Sequence, residues 1–214
     1  MPVLAYILTA LGAYLLGSIP TGFLVAKAKG IDIRSVGSGN IGATNAMRVL
    51  GKPAGIFVLL MDAAKGFFAV GLGYFIAKNF GGAETEIETA RILAGIFAVL
   101  GHNYTCWLKF KGGKGIATTA GVYLALAPWA LLVGLVVFIL AVLITRYVSV
   151  GSIAAAIALP ATVWIMSPHN LFLGIVTTAL GALAIFKHKS NIQRLMAGTE
   201  NRIGKKSSTS EGAK

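Results

Sequence analysis

The chain has 214 residues, 56% of them hydrophobic and 12% charged, with mean hydropathy +0.78. Soluble domains carry about 25% charged residues, so this composition excludes a soluble globular domain and a disordered one. Nineteen Lys and Arg against seven Asp and Glu leave a formal charge of +12, which in so apolar a chain points to basic membrane loops and anionic ligands or lipid headgroups, and to no nucleic-acid partner.

A hydrocarbon core about 30 Å thick takes roughly 20 helical residues to cross, fewer where flanking side chains snorkel. Apolar runs lie at Val3–Val25, Ala54–Ala77, Ala90–Trp107, Ile116–Ala127, Trp129–Ile144, Val150–Met166 and Leu171–Phe186. The first is long and has no basic leader, so it is expected to be a retained helix and not a cleaved signal. The fourth is short. Fused to the fifth it would give about 44 Å of helix, too long for one span, so Pro128 is expected to break the pair at a tight turn.

Seven spans with the N-terminus outside put Lys27, Lys29, Arg34, Arg48, Lys52, Lys109, Lys111, Lys114, Arg146 and the basic tail from Lys187 onward on one side, 16 of the 19 basic residues. The other side holds Lys78 and Arg91 beside Glu84, Glu86 and Glu88. The basic side is then cytoplasmic, and six spans would put the basic tail outside against that rule. The expected fold is an all-α integral membrane protein with seven transmembrane helices, N-terminus outside and C-terminus cytoplasmic. Residues 1–203 form its single domain, and residues 204–214, without periodicity, are expected to be a disordered tail. The lone Cys106 excludes an internal disulfide and reads as a small apolar residue.

Three cytoplasmic loops carry the chemistry. The first, Gly30 to Arg48, contains Gly37-Ser-Gly-Asn-Ile-Gly42 with Asp62 twenty residues on, formally a dinucleotide fingerprint. The context rejects it: no βαβ unit fits between two membrane helices, and the acid lies inside the second span. What survives is an anion-binding chemistry, with Gly37 and Gly39 letting backbone N–H groups approach, and Ser38, Asn40, Thr44, Asn45 and Arg48 as side-chain donors. A well-turned loop in which Ser38 and Asn40 serve only the backbone is the plain alternative.

Asp62 and Lys65, three residues apart in the second span, can pair on one helix face; they are either functional or a packing device. The second loop runs from Gly101 to Thr119. It fails the P-loop pattern, because Gly115 follows Lys114 and Leu108 stands where the first glycine belongs. Yet Gly112-Gly113-Lys114-Gly115 leading into a helix has the parts of a phosphate cradle: glycines, a lysine and free N–H groups. His102, beside Asn103, reads as a general base, a substrate donor or an interhelical hydrogen bond, the last being favoured. Asn103-Tyr-Thr105 is a glycosylation sequon by letter only. In the third segment Ile192, Leu195 and Met196 form an apolar stripe suited to a membrane surface. The three histidines, at 102, 169 and 188, are scattered, so neither a metal site nor a cofactor is expected.

Taken together, Gly17-Ser-Ile-Pro-Thr-Gly22, Arg34-Ser-Val-Gly-Ser-Gly-Asn-Ile-Gly-Ala-Thr-Asn45, Asp62-Ala-Ala-Lys-Gly66, Gly101-His102, Phe110-Lys-Gly-Gly-Lys-Gly-Ile-Ala-Thr118, Arg146-Tyr-Val-Ser149, His188-Lys-Ser-Asn191, Arg194-Leu195, Gly198 and Glu200 resemble the bacterial acyl-phosphate:glycerol-3-phosphate acyltransferase family. The likeness runs in order from about residue 12 to 203; Thr105, where the family often has Pro, is a small departure. It implies a seven-span enzyme of the bacterial plasma (inner) membrane, its site open to the cytoplasm. The implied reaction moves a fatty acyl group from acyl phosphate to the 1-hydroxyl of sn-glycerol 3-phosphate, giving lysophosphatidic acid and phosphate, the first step of phospholipid synthesis. It also implies membrane lipids as partners and a functional link to the enzyme that makes acyl phosphate.

By matching position the resemblance carries over Ser38 and Arg48 from the first motif. It carries over Gly112, Gly113 and Lys114, associated with acyl phosphate, from the second, and His188, Asn191 and Glu200 from the third, with Ser152 and Arg194 near the same mouth. Ser38, Arg48, Lys114, His188 and Asn191 are the expected catalytic set, and His102 joins the substrate-binding one. Arg48, Lys114 and Asn191 are assigned to phosphate and oxyanion contacts, and the Gly112 and Gly113 N–H groups to the acyl phosphate. An acyl phosphate is already activated, so no covalent enzyme intermediate is required. The His-x4-Asp dyad of other glycerolipid acyltransferases is absent, since Trp107 stands at the fifth position after His102. The proton then goes to a substrate phosphate or to His188. An organic-anion carrier should show paired broken helices in two halves, and no repeat is present; a lipid-binding scaffold leaves the Gly-Gly-Lys-Gly loop unexplained.

Overall fold

The computed structural model describes residues 1–204, helical with no strand among them; the tail expectation at 205–214 lies outside the described residues. The helices are α1 (Val3–Ser18), α2 (Thr21–Lys27), α3 (Ala43–Leu50), α4 (Lys52–Asn79), α5 (Glu84–Asn103), α6 (Ile116–Leu126), α7 (Pro128–Thr145), α8 (Val148–Met166), α9 (Leu171–Lys187) and α10 (Lys189–Met196).

Each of the seven apolar runs falls on a helix, with instructive differences. The first run is two helices, because Pro20 brings no N–H and the chain turns at Ile19–Pro20. Pro128 does separate two helices, standing at the first position of α7 one residue after α6 ends. The third run was expected to reach Trp107. Instead α5 starts at Glu84, where the Glu86 carboxylate accepts the Ala83 N–H at 2.9 Å, and stops at Asn103. Cys106–Leu108 then form a tight 3-10 turn, followed by Lys109 and Phe110 in the left-handed region. Helix α3 was read as loop; its short apolar stripe packs Ala46 into the core.

By length and composition four segments are long and apolar enough to cross a membrane: Val3–Lys27 across its bend, α4, α7 and α8. A fifth is α9 with α10, if that pair, bent by 51°, is one span. Helix α6 has only 11 residues, and α5 carries Glu84, Glu86, Glu88 and Arg91. The packing is that of a membrane protein. Small residues fill the interior (Ala5, Ala13, Ala94 and Ala98 are fully buried), while Leu143, Ile144 and Ile165 are 70–79% exposed on the outside. Gly17 with Gly101, and Gly66 with Gly121, bring α1 onto α5 and α4 onto α6 so closely that a Cβ would strike the facing backbone.

The bundle has two distinct ends. At one, the Met1 amine meets Glu86, Asn170 donates to Glu88 at 2.6 Å and Arg91 donates to the Ala125 carbonyl at 2.8 Å. At the other, Thr105 donates to Ser18, Lys187 to Asn103, and the Ile203 N–H to Arg146. All three loops singled out above gather at this second end.

Candidate active site

The first loop is organised around one side chain. Asn45, buried on α3, accepts the Ser38 N–H at 2.8 Å, and its amide donates to the carbonyls of Ile33, Val36 and Asn40 at 2.9–3.2 Å. Gly37 (φ +62) must be glycine twice over, since a Cβ would also strike the Asn45 amide oxygen. Asn45 is therefore spent inside the loop, which corrects its expected substrate contact. Asn40 accepts the Gly42 N–H at 2.9 Å and also borders the site cavity. The hub leaves Ser38, Thr44 and Arg48 exposed, with one Arg48 guanidinium nitrogen 3.4 Å from the Asn45 oxygen.

The second loop departs from expectation more sharply. The Gly112 N–H donates to the Asn103 carbonyl at 3.2 Å and the Gly113 N–H to the His102 carbonyl at 3.0 Å, so neither is free for an acyl phosphate. The free backbone donors are those at the N-terminus of α6: the N–H groups of residues 114–118 have no acceptor among the described residues. His102 is likewise corrected. Its buried ring lies against Lys65, Nδ1 to Nζ 2.8 Å, and 3.6 Å from Asp62, whose carboxylate pairs with Lys65 at 2.8 Å. This is the interhelical reading, extended to a cluster of three.

Lys114 is what the second loop delivers. Its ammonium donates to the Asn191 amide oxygen. Burial lowers its pKa to about 8; the charges of Arg194 and Arg48 push the same way, and Glu200 opposes them.

In the third segment Glu200 is the anchor. Its carboxylate accepts Asn191 Nδ2 at 2.8 Å, Arg194 Nε at 2.7 Å and the Ser149 hydroxyl at 3.3 Å. Asn191 is thereby oriented with its oxygen toward Lys114, and Glu200 and Arg194 act through it. His188 donates Nδ1–H to the Ala184 carbonyl at 2.8 Å, which leaves Nε2 carrying the lone pair. Burial brings its pKa down to about 4, with the Lys114 charge adding to the effect, so the ring is neutral near pH 7.

Two cavities are lined by residues close in sequence to these. A polar one of about 250 Å³ is bordered by Asn40, Tyr104, Gly113, Lys114, Lys187 and Ser190. An apolar groove between α6, α7, α8 and α9 begins at Ile116 and Ala184 and runs down past Phe138, Ala156 and Leu159. Ser152 lines the groove, its hydroxyl donating to the Val148 carbonyl at 2.9 Å. Two contributors were missed in the sequence. Lys187, counted only as charge, donates to the Asn103 carbonyl at 3.1 Å and stacks over Tyr104 at 4.3 Å. Ser149 supports Glu200 from the start of α8.

Comparison with known proteins gives the same reading throughout. A sequence model described as glycerol-3-phosphate acyltransferase matches residues 7–198. Curated glycerol-3-phosphate acyltransferases are similar over nearly the whole chain. That of Geobacter metallireducens is 52% identical, covering 94% of this chain and 99% of its own, and that of Geotalea daltonii is 46% identical, covering 91% and 96%. Among solved structures, PlsY (YgiH), an integral membrane glycerol 3-phosphate acyltransferase, is similar in its glycerol 3-phosphate form. The TM-score is 0.84 at 40% identity, over 93% of this chain and 96% of that one. Its lysophosphatidic acid form gives 0.79.

Proposed function

The chain belongs to the glycerol-3-phosphate acyltransferase family, and from that premise we propose that its two cavities hold an acyl phosphate and glycerol 3-phosphate for direct acyl transfer. One observation carries the assignment. The cationic cavity is lined by Lys114 and Lys187 and the apolar groove by Ile116 and Ala184, two residues and one turn along the same two segments. A molecule with an anionic head and a fatty tail fits such a pair of compartments.

In this reading the phosphate of the donor sits among Lys114, Arg48 and the free N–H groups opening α6, and its tail lies in the groove in contact with lipid. Ser38 and Arg48 face the acceptor. Its 1-hydroxyl oxygen bonds to the acyl carbon, the bond from that carbon to the phosphate oxygen breaks, and phosphate leaves. Lys114, with Asn191 beside it, stabilises the negative charge that develops on the carbonyl oxygen. His188, with its pKa near 4, is too weak a base to take the hydroxyl proton near pH 7, so the proton goes to a substrate phosphate oxygen.

Seven spans, with the N-terminus outside, bring the three loops to the cytoplasmic face of a bacterial inner membrane. The charge asymmetry supports that arrangement, with 13 of the 16 described basic residues on the loop side. The enzyme that makes acyl phosphate would then deliver donor from the cytoplasmic side.

The test is phosphate release by detergent-purified protein given palmitoyl phosphate, with and without glycerol 3-phosphate. Release that depends on the acceptor and yields lysophosphatidic acid is expected. Release without the acceptor would make the site a hydrolase. No turnover by a folded sample, together with counterflow in vesicles, would replace the enzyme with a carrier.

A further inference from the structure

The Gly112–Lys114 segment has no hub of its own. It lies on the C-terminal end of α5, where the His102 and Asn103 carbonyls take the two glycine N–H groups. A Cβ on Gly113 would strike Nε2 of the His102 ring, while a Cβ on Gly112 would strike the His102 carbonyl and Asn103 backbone. Both glycines are therefore held by backbone carbonyls, but what leaves no room for a side chain differs: the His102 ring at Gly113, and His102 and Asn103 backbone at Gly112.

That ring is fixed from behind. The Lys65 ammonium donates to the Ile19 carbonyl at 2.9 Å and to His102 Nδ1 at 2.8 Å, and pairs with the Asp62 carboxylate at 2.8 Å. Since an ammonium only donates, Nδ1 accepts, the proton sits on Nε2, and the protonated edge of the ring faces Gly113. Asp62 and Lys65 come from the middle of α4 and Ile19 from the α1–α2 break, so two elements fix one imidazole on a third, α5. All three groups are buried.

We propose that His102, locked by Asp62 and Lys65, is a positioning residue that sets the height of the Gly112–Lys114 loop and thereby the aim of the Lys114 ammonium at Asn191. This rests on the assignment of Lys114 to the acyl-transfer site. On this account Gly113 is glycine to make room for the imidazole, with no demand from the substrate.

The prediction is a rescue. Asn at position 102 puts an amide oxygen where Nδ1 stands, keeps the acceptor Lys65 needs, and removes Nε2. Gly113→Ala alone is expected to cut kcat at least 100-fold, with KM for glycerol 3-phosphate changed less than threefold. His102→Asn alone costs three- to tenfold. The double variant His102→Asn/Gly113→Ala recovers at least tenfold over Gly113→Ala. Gly112→Ala, which meets backbone, is not recovered by His102→Asn and serves as the control.

Thermal midpoints of the four proteins measure the same coupling without any activity. The double variant should melt above Gly113→Ala, and a Gly113→Ala protein too unstable to purify should become purifiable when paired with His102→Asn. A double variant as inactive as Gly113→Ala and melting no higher would overturn the proposal and return Gly113 to the substrate. A wild-type protein without acyl transfer whose variants still couple in melting would instead overturn the functional reading and leave the loop clamp standing.

Discussion

The two glycine-rich loops look alike in the sequence and are built on opposite plans. The Gly37–Gly42 loop is held from within: one buried amide, Asn45, gathers four backbone partners, and Gly37 and Gly39 are glycine because the chain there takes positive φ. The Gly112–Gly115 loop is held from below. Gly112 and Gly113 carry no positive φ and are glycine because the end of α5 leaves no room for a Cβ. The first loop can keep its shape while its exposed Ser38 and Arg48 adapt to a ligand. The second inherits its position from an ion cluster between helices. Glycine thus reports conformational freedom at Gly39 and Gly115, close contact at Gly112 and Gly113, and both at Gly37.

The sharpest way to separate the plans is to disturb the cluster under the second loop. Asp62→Asn leaves the buried Lys65 ammonium without its counter-charge, a change that costs roughly 3–5 kcal/mol at buried pairs. A drop of about 10 °C in the thermal midpoint is expected for a chain of this size. KM for glycerol 3-phosphate should move less than threefold, because Asp62 reaches the site only through Lys65 and His102. A large rise in that KM with an unchanged midpoint would place Asp62 in the site itself.

Next comes a pair of alanine variants, one per loop, read for both activity and melting. Lys114→Ala removes a charge whose burial works against the fold; turnover should fall about 100-fold, in the range seen for loss of one transition-state donor, with the midpoint near neutral pH no lower than wild type. Asn45→Ala leaves the buried Ile33 carbonyl without that partner, at a cost of about 1–3 kcal/mol. Its midpoint should fall by several degrees, and activity with it. Wild-type turnover in Lys114→Ala sinks the phosphate assignment, and a stable, inactive Asn45→Ala would return Asn45 to the substrate.

Much of this was legible in the sequence. The apolar runs located helices, Pro128 marked the break after α6, and the Ile192–Met196 stripe became α10. The three loops do gather at one end of the bundle, and they stood out because Gly, Asn, His and Lys are expensive beside a bilayer and need a reason to be there. Partner choice was not legible. Asn45 reads as a ligand donor because its letter is polar, yet burial turned all its valences inward. Gly112 and Gly113 read as a phosphate cradle because composition cannot distinguish a free N–H from one given to a carbonyl on another helix. Helix α3 was lost in its loop, as it is only 8 residues long and its helical period has scarcely two turns to show. Lys187 and Ser149 matter through contacts distant in sequence, 84 residues for Lys187 to Asn103, which no local pattern reports.

The smallest effect is also the one that ties the second loop to its charge. Lys114 titrates near pH 8 in the folded protein against 10.5 for an ordinary lysine. The free enzyme therefore loses the ammonium as pH rises through 8, and kcat/KM for the acyl phosphate should fall towards a slope of tenfold per pH unit above it. Stability should run the other way. Between about pH 8 and 10.5 the unfolded chain holds a proton on this lysine that the folded one has released, so unfolding takes up protons and becomes harder as pH rises. The Lys114 contribution to melting then increases over the same interval in which activity declines. Lys114→Met removes both trends at once, its midpoint lacking that rise, whereas Asn45→Ala in the other loop retains it. If wild type and Lys114→Met show the same pH dependence of melting, the buried cation is some other group and the opposition between the loops loses its electrostatic half.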